Sequence, residues 1–527
     1  MLLRTLLALG SGAALTLAFE PAAIRLLIPF ALAGLVLSVR GLPARRAWWP
    51  GLVFGLVFMT WLQHWMTAIG TDAWIGISLV EPLFFAPLGS ALATVQRLRW
   101  WPLWTAAVWV AVESVRTTWP FGGMPWGRVS YGVADTWWAQ MLPYAGFTGV
   151  SFLLALTGSA LAWAVAGGWR RPGLAAGVAV ALALVTVGPV LAPYQPERVG
   201  SATVAVVQGD VPGDGTNVLL DHRQVTENQR IVTERIAADV AAGRSPEPDF
   251  VLWPENSTAV DPFANADIRA TITAASQAVG VPILVGALVD GAEPGTVLNQ
   301  GIVWRPEVGA TERYSKSHPV PFGEYIPWRG KGPMKEFENF GRLTEISRDM
   351  APGRRETPLR IGGIRVADAI CFDVAYDDVF TRQVGAGAEL ITVQTSNAMF
   401  IRTHQIDQQF EITRLRALAS GRSLAVASTN GISGVIGPDG EVRAQAPIRT
   451  RTSLTETVPL VSQVTPAVRL GAWPARLSWL VALLALAAVA LRRGGVTYRR
   501  GRADAEPPAS PRALVPAGPT PEREGRP

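Results

Sequence analysis

Long apolar runs separated by short arginine-bearing loops fill the first 192 residues, and a further run lies near the C-terminus. A helix crossing about 30 Å of hydrocarbon needs about 20 mostly apolar residues. On that criterion eight segments are expected to span a membrane: about 2–19, 22–39, 48–69, 73–95, 100–118, 145–168, 173–192 and 475–491. The first also has the look of a secretory signal peptide, with Arg4 ahead of an apolar run and small residues. An uncleaved helix is the preferred reading, because another span follows at once. Between residues 201 and 460 the pattern changes to strand-length apolar runs: 202–208, 249–253, 282–288, 299–305, 364–371, 389–394, 423–429 and 433–437. Helical periodicity fits 218–242, 264–279, 376–386 and 403–420. Strands alternating with helices predict an α/β domain, and consecutive apolar residues predict strands buried on both faces.

The expected domain organisation is therefore a seven-span membrane region (1–192), an α/β domain (201–460), a C-terminal transmembrane helix (475–491) and a Pro-rich disordered tail (503–527). Loop charges set the orientation. With a cytoplasmic N-terminus, the inside loops hold Arg40, Arg45 and Arg46, then Arg97 and Arg99, then Arg170 and Arg171, and the tail opens with Arg492 and Arg493. This positive-inside pattern places 193–474 outside the cytoplasm. Arg116 and Arg128 are the exceptions. The aromatic stretch 119–144 is read as an interfacial anchor, with a lipid-entry region as the sharper alternative. Glu81 and Glu113 lie within apolar spans, the first neutral or paired, the second snorkelling from a span end.

Composition agrees with a membrane part joined to a folded domain: 49% of residues are apolar and 17% charged. The net charge of +6 resides in membrane-flanking arginines, which does not describe a nucleic-acid groove. One cysteine excludes an intramolecular disulfide, and four scattered histidines do not suggest a zinc cluster. The Gly-rich GDVPGDG at 209–215 lacks the Lys-Ser/Thr of a phosphate loop and reads as a turn. No nucleotide, metal or other cofactor is implied.

Candidate chemistry gathers at three strand ends. Glu255 follows the run DFVLW, Lys316 follows the strand-like Ala310–Ser315, and Cys371, the single thiol, ends IRVADAIC. Ligand sites of α/β sheets collect at such carboxyl ends. A thiol nucleophile needs a base, and attack on a carbonyl needs a cation or N–H donors for the oxyanion. Glu, Lys and Cys supply these functions without histidine. Taken singly, each has an ordinary alternative: a buried small hydrophobe for Cys371, a helix cap at 257–259 for Glu255, a solvated loop residue for Lys316. The chain carries only three lysines, Lys316, Lys331 and Lys335.

WPENS around Glu255, RYSKSHPVPFGEYIP around Lys316 and the strand ending in Cys371 resemble the carbon–nitrogen hydrolase (nitrilase) superfamily. The flanking spans and PVPFGEYIP narrow the resemblance to the bacterial apolipoprotein N-acyltransferase family, in an actinobacterial-like form. The resemblance implies an αββα sandwich beside about eight spans, in the cytoplasmic membrane with its site on the outer face. It implies Cys371 as nucleophile, Glu255 as general base, Lys316 as oxyanion stabiliser and Glu324 as a supporting carboxylate. It also implies a ping-pong reaction. The sn-1 acyl chain of a phospholipid passes through a thioester to the α-amino group of a diacylglyceryl-cysteine apolipoprotein. Some actinobacterial relatives carry or partner a polyprenol-phosphate mannosyltransferase, so such an association is a further expectation. Departures from the family pattern are Phe372 for Tyr, Asp373 for Glu, Asn397 for Asp and Met399 for Trp. The competing activity is a membrane-bound amidase or nitrilase that uses the same three residues and passes the acyl group to water.

Overall fold

The computed structural model of the chain describes residues 1–218, 221–330, 341–503, 518 and 525. Lys331, Lys335, most of the expected tail, and 331–340 of the Pro/Gly/Trp-rich stretch 322–341, which its composition and its place near Glu324 offer as a lid, lie outside the described residues.

The N-terminal part is helical: α1 Leu2–Thr16, α2 Leu27–Val39, α3 Ala44–Leu62, α4 Thr71–Val80, α5 Phe85–Val95, α6 Trp101–Arg116, α7 Leu142–Val165 and α8 Pro172–Leu191. Among the described residues, four helical stretches are long and apolar enough to cross a membrane: Thr71–Val95, Ala139–Val165, Pro172–Leu191 and Trp473–Arg492. α1 and α2 are shorter apolar helices. The expected span 73–95 is interrupted by a 3₁₀ turn at Glu81–Phe84, where Pro82 and then Pro87 withhold backbone donors. Small residues set the helix packing. A Cβ on Gly51 of α3 would stand 2.1 Å from the Phe85 carbonyl oxygen and 3.0 Å from the Gly89 Cα of α5. Two glycines thus let these helices touch backbone to backbone.

Next come β1 Arg198–Gln208, α9 His222–Ala241, β2 Phe250–Leu252, α10 Ala266–Val279, β3 Ile283–Asp290, β4 Thr296–Arg305, β5 Gly309–Ser315 and β6 Asp349–Met350. They are followed by β7 Leu359–Ile361, β8 Ile364–Ile370, α11 Asp377–Gly385, β9 Leu390–Thr395, α12 Gln405–Ser420 and β10 Leu424–Ser428. The order ends with β11 Gly434–Ile436, β12 Val442–Gln445, β13 Thr452–Val461, α13 Pro466–Leu470 and α14 Trp473–Ala503. One sheet has the order β13-β1-β2-β3-β4-β5, with β6 on β4; the other has β12-β11-β10-β9-β8-β7.

Strand alternation builds three apolar layers. Val204 and Val206 of β1 join Val366 and Ile370 of β8 between the sheets. Ala205 and Val207 face the other way, toward Val232 and Ile236 of α9 and Ile272 of α10. On the far side, Ala367, Ala369, Ile391 and Val393 share one apolar cluster with α11, α12 and the membrane helices. The result is an αββα sandwich whose second helical layer is sealed against the apolar helical part.

The seal revises three expectations. The stretch 119–144 does not simply anchor at an interface: Trp126 and Tyr131 are buried, and Phe372 stacks on Trp126 with ring centres 6.2 Å apart. The Tyr131 hydroxyl donates to the Ala375 carbonyl at 2.6 Å. Glu113 does not snorkel; it is buried and accepts the Val129 N–H at 3.1 Å. Arg116 and Arg128 break the charge pattern of the loops because they are internal ties. Arg116 pairs with Glu81 at 2.8 Å, and Arg128 with Asp377 at 2.9 Å.

Candidate active site

Glu255, Lys316 and Cys371 each stand just beyond a strand, at the ends of β2, β5 and β8. Trp253 fixes the first loop by donating its indole N–H to Thr233 of α9 at 2.9 Å. The loop then presses onto β3 at Gly286, where a Cβ would fall 2.8 Å from the Glu255 Cα. Only glycine permits that approach. The Glu255 carboxylate accepts the Asn299 amide at 2.7 Å and the Ser396 backbone N–H at 2.8 Å. It therefore ties β4 of one sheet to the end of β9 of the other, and caps no helix.

The Lys316 side chain is fully buried rather than solvated. Its Nζ donates to Glu324 Oε1 at 2.6 Å and lies 3.6 Å from Glu255 Oε1. Glu324 Oε2 accepts the Val320 N–H at 2.7 Å, which folds the Pro-Phe-Gly-Glu loop back over the lysine. Burial alone lowers a lysine's pKa, but the Glu324 and Glu255 carboxylates outweigh it and hold Lys316 above its ordinary value. Burial also raises Glu324, against the pull of Lys316 and with Glu255 adding to the rise.

Cys371 keeps some exposure and has φ +49°, an uncommon left-handed conformation for a residue with a side chain. Such backbone at a strand end re-aims the side chain and clusters at functional sites. Burial, then the neighbouring Glu255 charge, pushes the thiol well above its usual range, so it rests protonated. After it, Asp373 makes a brace. Its carboxylate accepts from the Tyr314 hydroxyl at 2.8 Å, the His318 N–H at 2.9 Å and the Ile370 N–H at 3.1 Å. The shorter acid thus reaches both the lysine segment and the strand that presents the thiol. Phe372 uses its ring against Trp126. Met399 is exposed, and Asn397 is buried among Gln405, Gln409 and Ser428.

All four residues singled out in the sequence meet here: Cys371 is in electrostatic range of Glu255, Lys316 and Glu324. Sequence reasoning missed Asn299, Tyr314 and the Ser396 N–H as their holders. Asn299 left one trace, an amide beside a second amide, Gln300, within a strand that is mostly apolar. Among the described residues no group of three His, Cys, Asp or Glu is suited to hold a metal. The arrangement joins a protonated thiol, a fixed carboxylate to take its proton and a permanent cation beside them. These are the requirements for covalent acyl transfer.

Residues 11–160 match the family described as Apolipoprotein N-acyltransferase N-terminal domain, and residues 203–465 match Carbon-nitrogen hydrolase. The chain is 35% identical to the apolipoprotein N-acyltransferase of Mycolicibacterium smegmatis, over 88% of this chain and 81% of that one. It is 29% identical to that of Methylococcus capsulatus, over 89% and 93%. A solved carbon-nitrogen hydrolase from Helicobacter pylori G27 is 17% identical, covering 53% of this chain and 94% of its own, with a TM-score of 0.37. With both halves matched in order and the relatives aligned along most of their length, the chain belongs to the apolipoprotein N-acyltransferase family.

Proposed function

We propose that the protein transfers the sn-1 acyl chain of a phospholipid to the α-amino group of a diacylglyceryl-cysteine apolipoprotein through a thioester on Cys371. The observation that carries this reading is the protonated thiol on a left-handed strand end, set among Lys316, Glu255 and Glu324. Supporting it, the segment after the thiol is fastened to the apolar helices, where lipid substrates arrive.

Glu255 takes the thiol proton as the sulfur attacks the ester carbonyl. The Lys316 ammonium and the Phe372 N–H hold the resulting oxyanion. The carbon–oxygen bond breaks, Glu255 returns the proton to the departing glyceryl oxygen, and lysophospholipid leaves. In the second half the lipoprotein amine attacks the thioester and gives its proton to Glu255. The carbon–sulfur bond breaks and the proton returns to sulfur. Glu324 keeps Lys316 aimed at the reacting carbonyl.

The finer organisation belongs to the same proposal: a multi-pass membrane region at 1–192, a catalytic domain at 201–460 outside the cytoplasm, and a last span at 475–491. Both termini are then cytoplasmic, as the arginine loops favour. Association with a polyprenol-phosphate mannosyltransferase rests on the family resemblance, and co-purification tests it.

The test uses purified full-length protein, phospholipid labelled in its sn-1 chain and a diacylglyceryl-cysteine peptide. The expected result is labelled N-acyl peptide and lysophospholipid in equal amounts, both lost in Cys371→Ala. Labelled free fatty acid without acylated peptide would overturn the transferase reading in favour of the hydrolase.

A further inference from the structure

The loop 316–328, which carries Lys316 and Glu324, is tied to the thiol segment by a closed set of contacts, and Tyr376 stands where they meet. Tyr376 is buried and follows the turn Cys371–Ala375. Its ring lies flat against the His318 imidazole, with centres 3.8 Å apart and planes 5° from parallel. The Phe372 ring meets it edge-on at 5.3 Å. His318 is also held at its own edge, where Nε2 lies 3.0 Å and 3.2 Å from the two Asp378 carboxylate oxygens in the first turn of α11. The Tyr376 hydroxyl donates to the Gly123 carbonyl at 3.1 Å. In the same short turn, the Phe121 carbonyl accepts the hydroxyl of Tyr325, the residue after Glu324, at 3.3 Å. Contacts thus run from the loop through His318 to Tyr376, on to Phe121–Gly123 of the helical part, and back through Tyr325 to the same loop.

The turn is shaped to offer these two carbonyls. Phe121, Gly122 and Gly123 all have left-handed backbone, with φ +53°, +91° and +77°. Position 123 admits only glycine, since a Cβ there would stand 2.3 Å from the Thr117 carbonyl carbon. Phe121 lacks that freedom and bears the strain of a side chain at positive φ. Its ring packs edge-on against Phe322 and Trp328 of the loop, at 5.6 Å and 4.2 Å between centres.

We propose that Tyr376 is a positioning residue for the acyl transfer: through His318 on its ring and Gly123 on its hydroxyl, it keeps Lys316 and Glu324 in register with Cys371. The proposal rests on the reading of Cys371 as nucleophile and Lys316 as oxyanion stabiliser. Backbone N–H groups of Ser317 and His318 reach Asp373 at 3.4 Å and 2.9 Å, which fixes the start of the loop. Its far end is tied to β6, where the Met350 N–H donates to the Glu324 carbonyl and Asp349 accepts the Ile326 N–H, both at 2.9 Å. Between these points, His318 and Tyr325 connect it to the residues that follow the thiol and to the helical part. An ammonium displaced by about 1 Å from a reacting oxygen costs on the order of 10²-fold in rate.

The experiment uses the full-length protein and reads two quantities. One is acyl transfer to a diacylglyceryl-cysteine peptide, as kcat and KM for phospholipid. The other is the iodoacetamide rate of Cys371, the only cysteine, from about pH 6 to about pH 10. Of the two charges on the loop, Lys316 acts on the thiol more strongly than Glu324, so a displaced loop moves the alkylation profile to higher pH. Tyr376→Leu, which loses both the stack and the hydroxyl, is expected to lower kcat by about tenfold to a hundredfold, to leave KM unchanged and to shift the profile upward. Tyr376→Phe keeps the stack and should lower kcat by only about threefold to tenfold. His318→Leu, which leaves the Tyr376 hydroxyl bond in place, should act like Tyr376→Leu and carries the test if that variant does not fold. A merely structural role would lower the melting temperature and leave the profile in place, and that result would overturn the proposal. So would wild-type kcat in a folded Tyr376→Leu or His318→Leu, or a loss that appears in KM alone. A wild-type protein whose Cys371 is alkylated by iodoacetamide but never acylated by phospholipid would instead overturn the nucleophile reading, while the profiles would still decide the placement of Lys316.

Discussion

Two half-buried carboxylates, Asp377 and Glu324, respond to their surroundings in opposite ways. Asp377, at the junction with the membrane helices, lies between two cations, Arg128 at 2.9 Å and Arg416 at 2.6 Å. Burial would raise its pKa, but the two arginines outweigh burial and hold it at about 2. Glu324 shares one cation, Lys316, with a second carboxylate, Glu255. There burial wins and the pKa rises. The junction is charge-satisfied: Arg416 also donates to the Val374 carbonyl at 2.7 Å and the Tyr131 hydroxyl at 3.0 Å. The site is not: one ammonium faces two carboxylates and a neutral thiol. Pairing with cations to spare fixes a structure, whereas a deficit of cations leaves a proton free to move. Burial alone therefore does not separate a tie from a catalyst; the local balance of charge does.

The contrast is broken most strongly at the site. Glu255→Gln keeps the hydrogen bonds to Asn299 and Ser396 within reach but cannot accept a proton, and is expected to lower kcat by about 10²–10⁴ with little change in melting temperature. Lys316→Met should cost about 10²–10³ in kcat. At the junction the effect moves from rate to stability. Asp377→Leu takes the shared carboxylate from two buried arginines that keep their other partners, and should destabilise the protein by about 1–3 kcal/mol, read by thermal unfolding in detergent.

A third acid, this one fully buried, sharpens the comparison through pH. Asp368 has no cation among the causes that set its pKa, and burial raises that value to about 8. Its Oδ1 accepts the Thr392 hydroxyl at 2.8 Å. The folded state keeps this proton up to about pH 8, while the unfolded chain releases it near its ordinary value of 3.8. The contribution to stability is thus fully present below about pH 4 and is lost as pH rises toward 8, at about 1.4 kcal/mol per pH unit. Asp368→Asn should remove that slope, seen as unfolding midpoints that no longer fall across this window. The smallest effect is expected at the surface pair Arg223–Asp267, 2.8 Å apart but more than half exposed on both sides. Arg223→Ala there should change stability by less than about 0.5 kcal/mol.

The sandwich and the gathering of the four candidate residues were legible because each leaves a local signal. Buried strands read as apolar runs, Glu255, Lys316 and Cys371 follow strands, and Glu324 lies in the loop motif after Lys316. β13 was missed. Its sequence TSLTETVPLV has a polar first half broken only by Leu454, no alternation, and Pro459 in its apolar second half, yet it pairs with β1 along nearly its whole length as an edge strand. Only Val458, Leu460 and Val461 need burial there. The docking role of 119–144 was hidden for another reason. Trp126 donates to Gln408 at 2.7 Å and Arg128 pairs with Asp377, partners more than two hundred positions away. No periodicity within the stretch encodes such a partner.

The central claim is that Cys371 carries the acyl group. The most direct measurement is the mass of the Cys371 peptide after purified protein meets phospholipid alone, beside a Cys371→Ala control. The account predicts a hydroxylamine-labile acyl adduct on Cys371 that a diacylglyceryl-cysteine peptide clears into N-acylated product. An unmodified Cys371 peptide, with no lysophospholipid released, would contradict it.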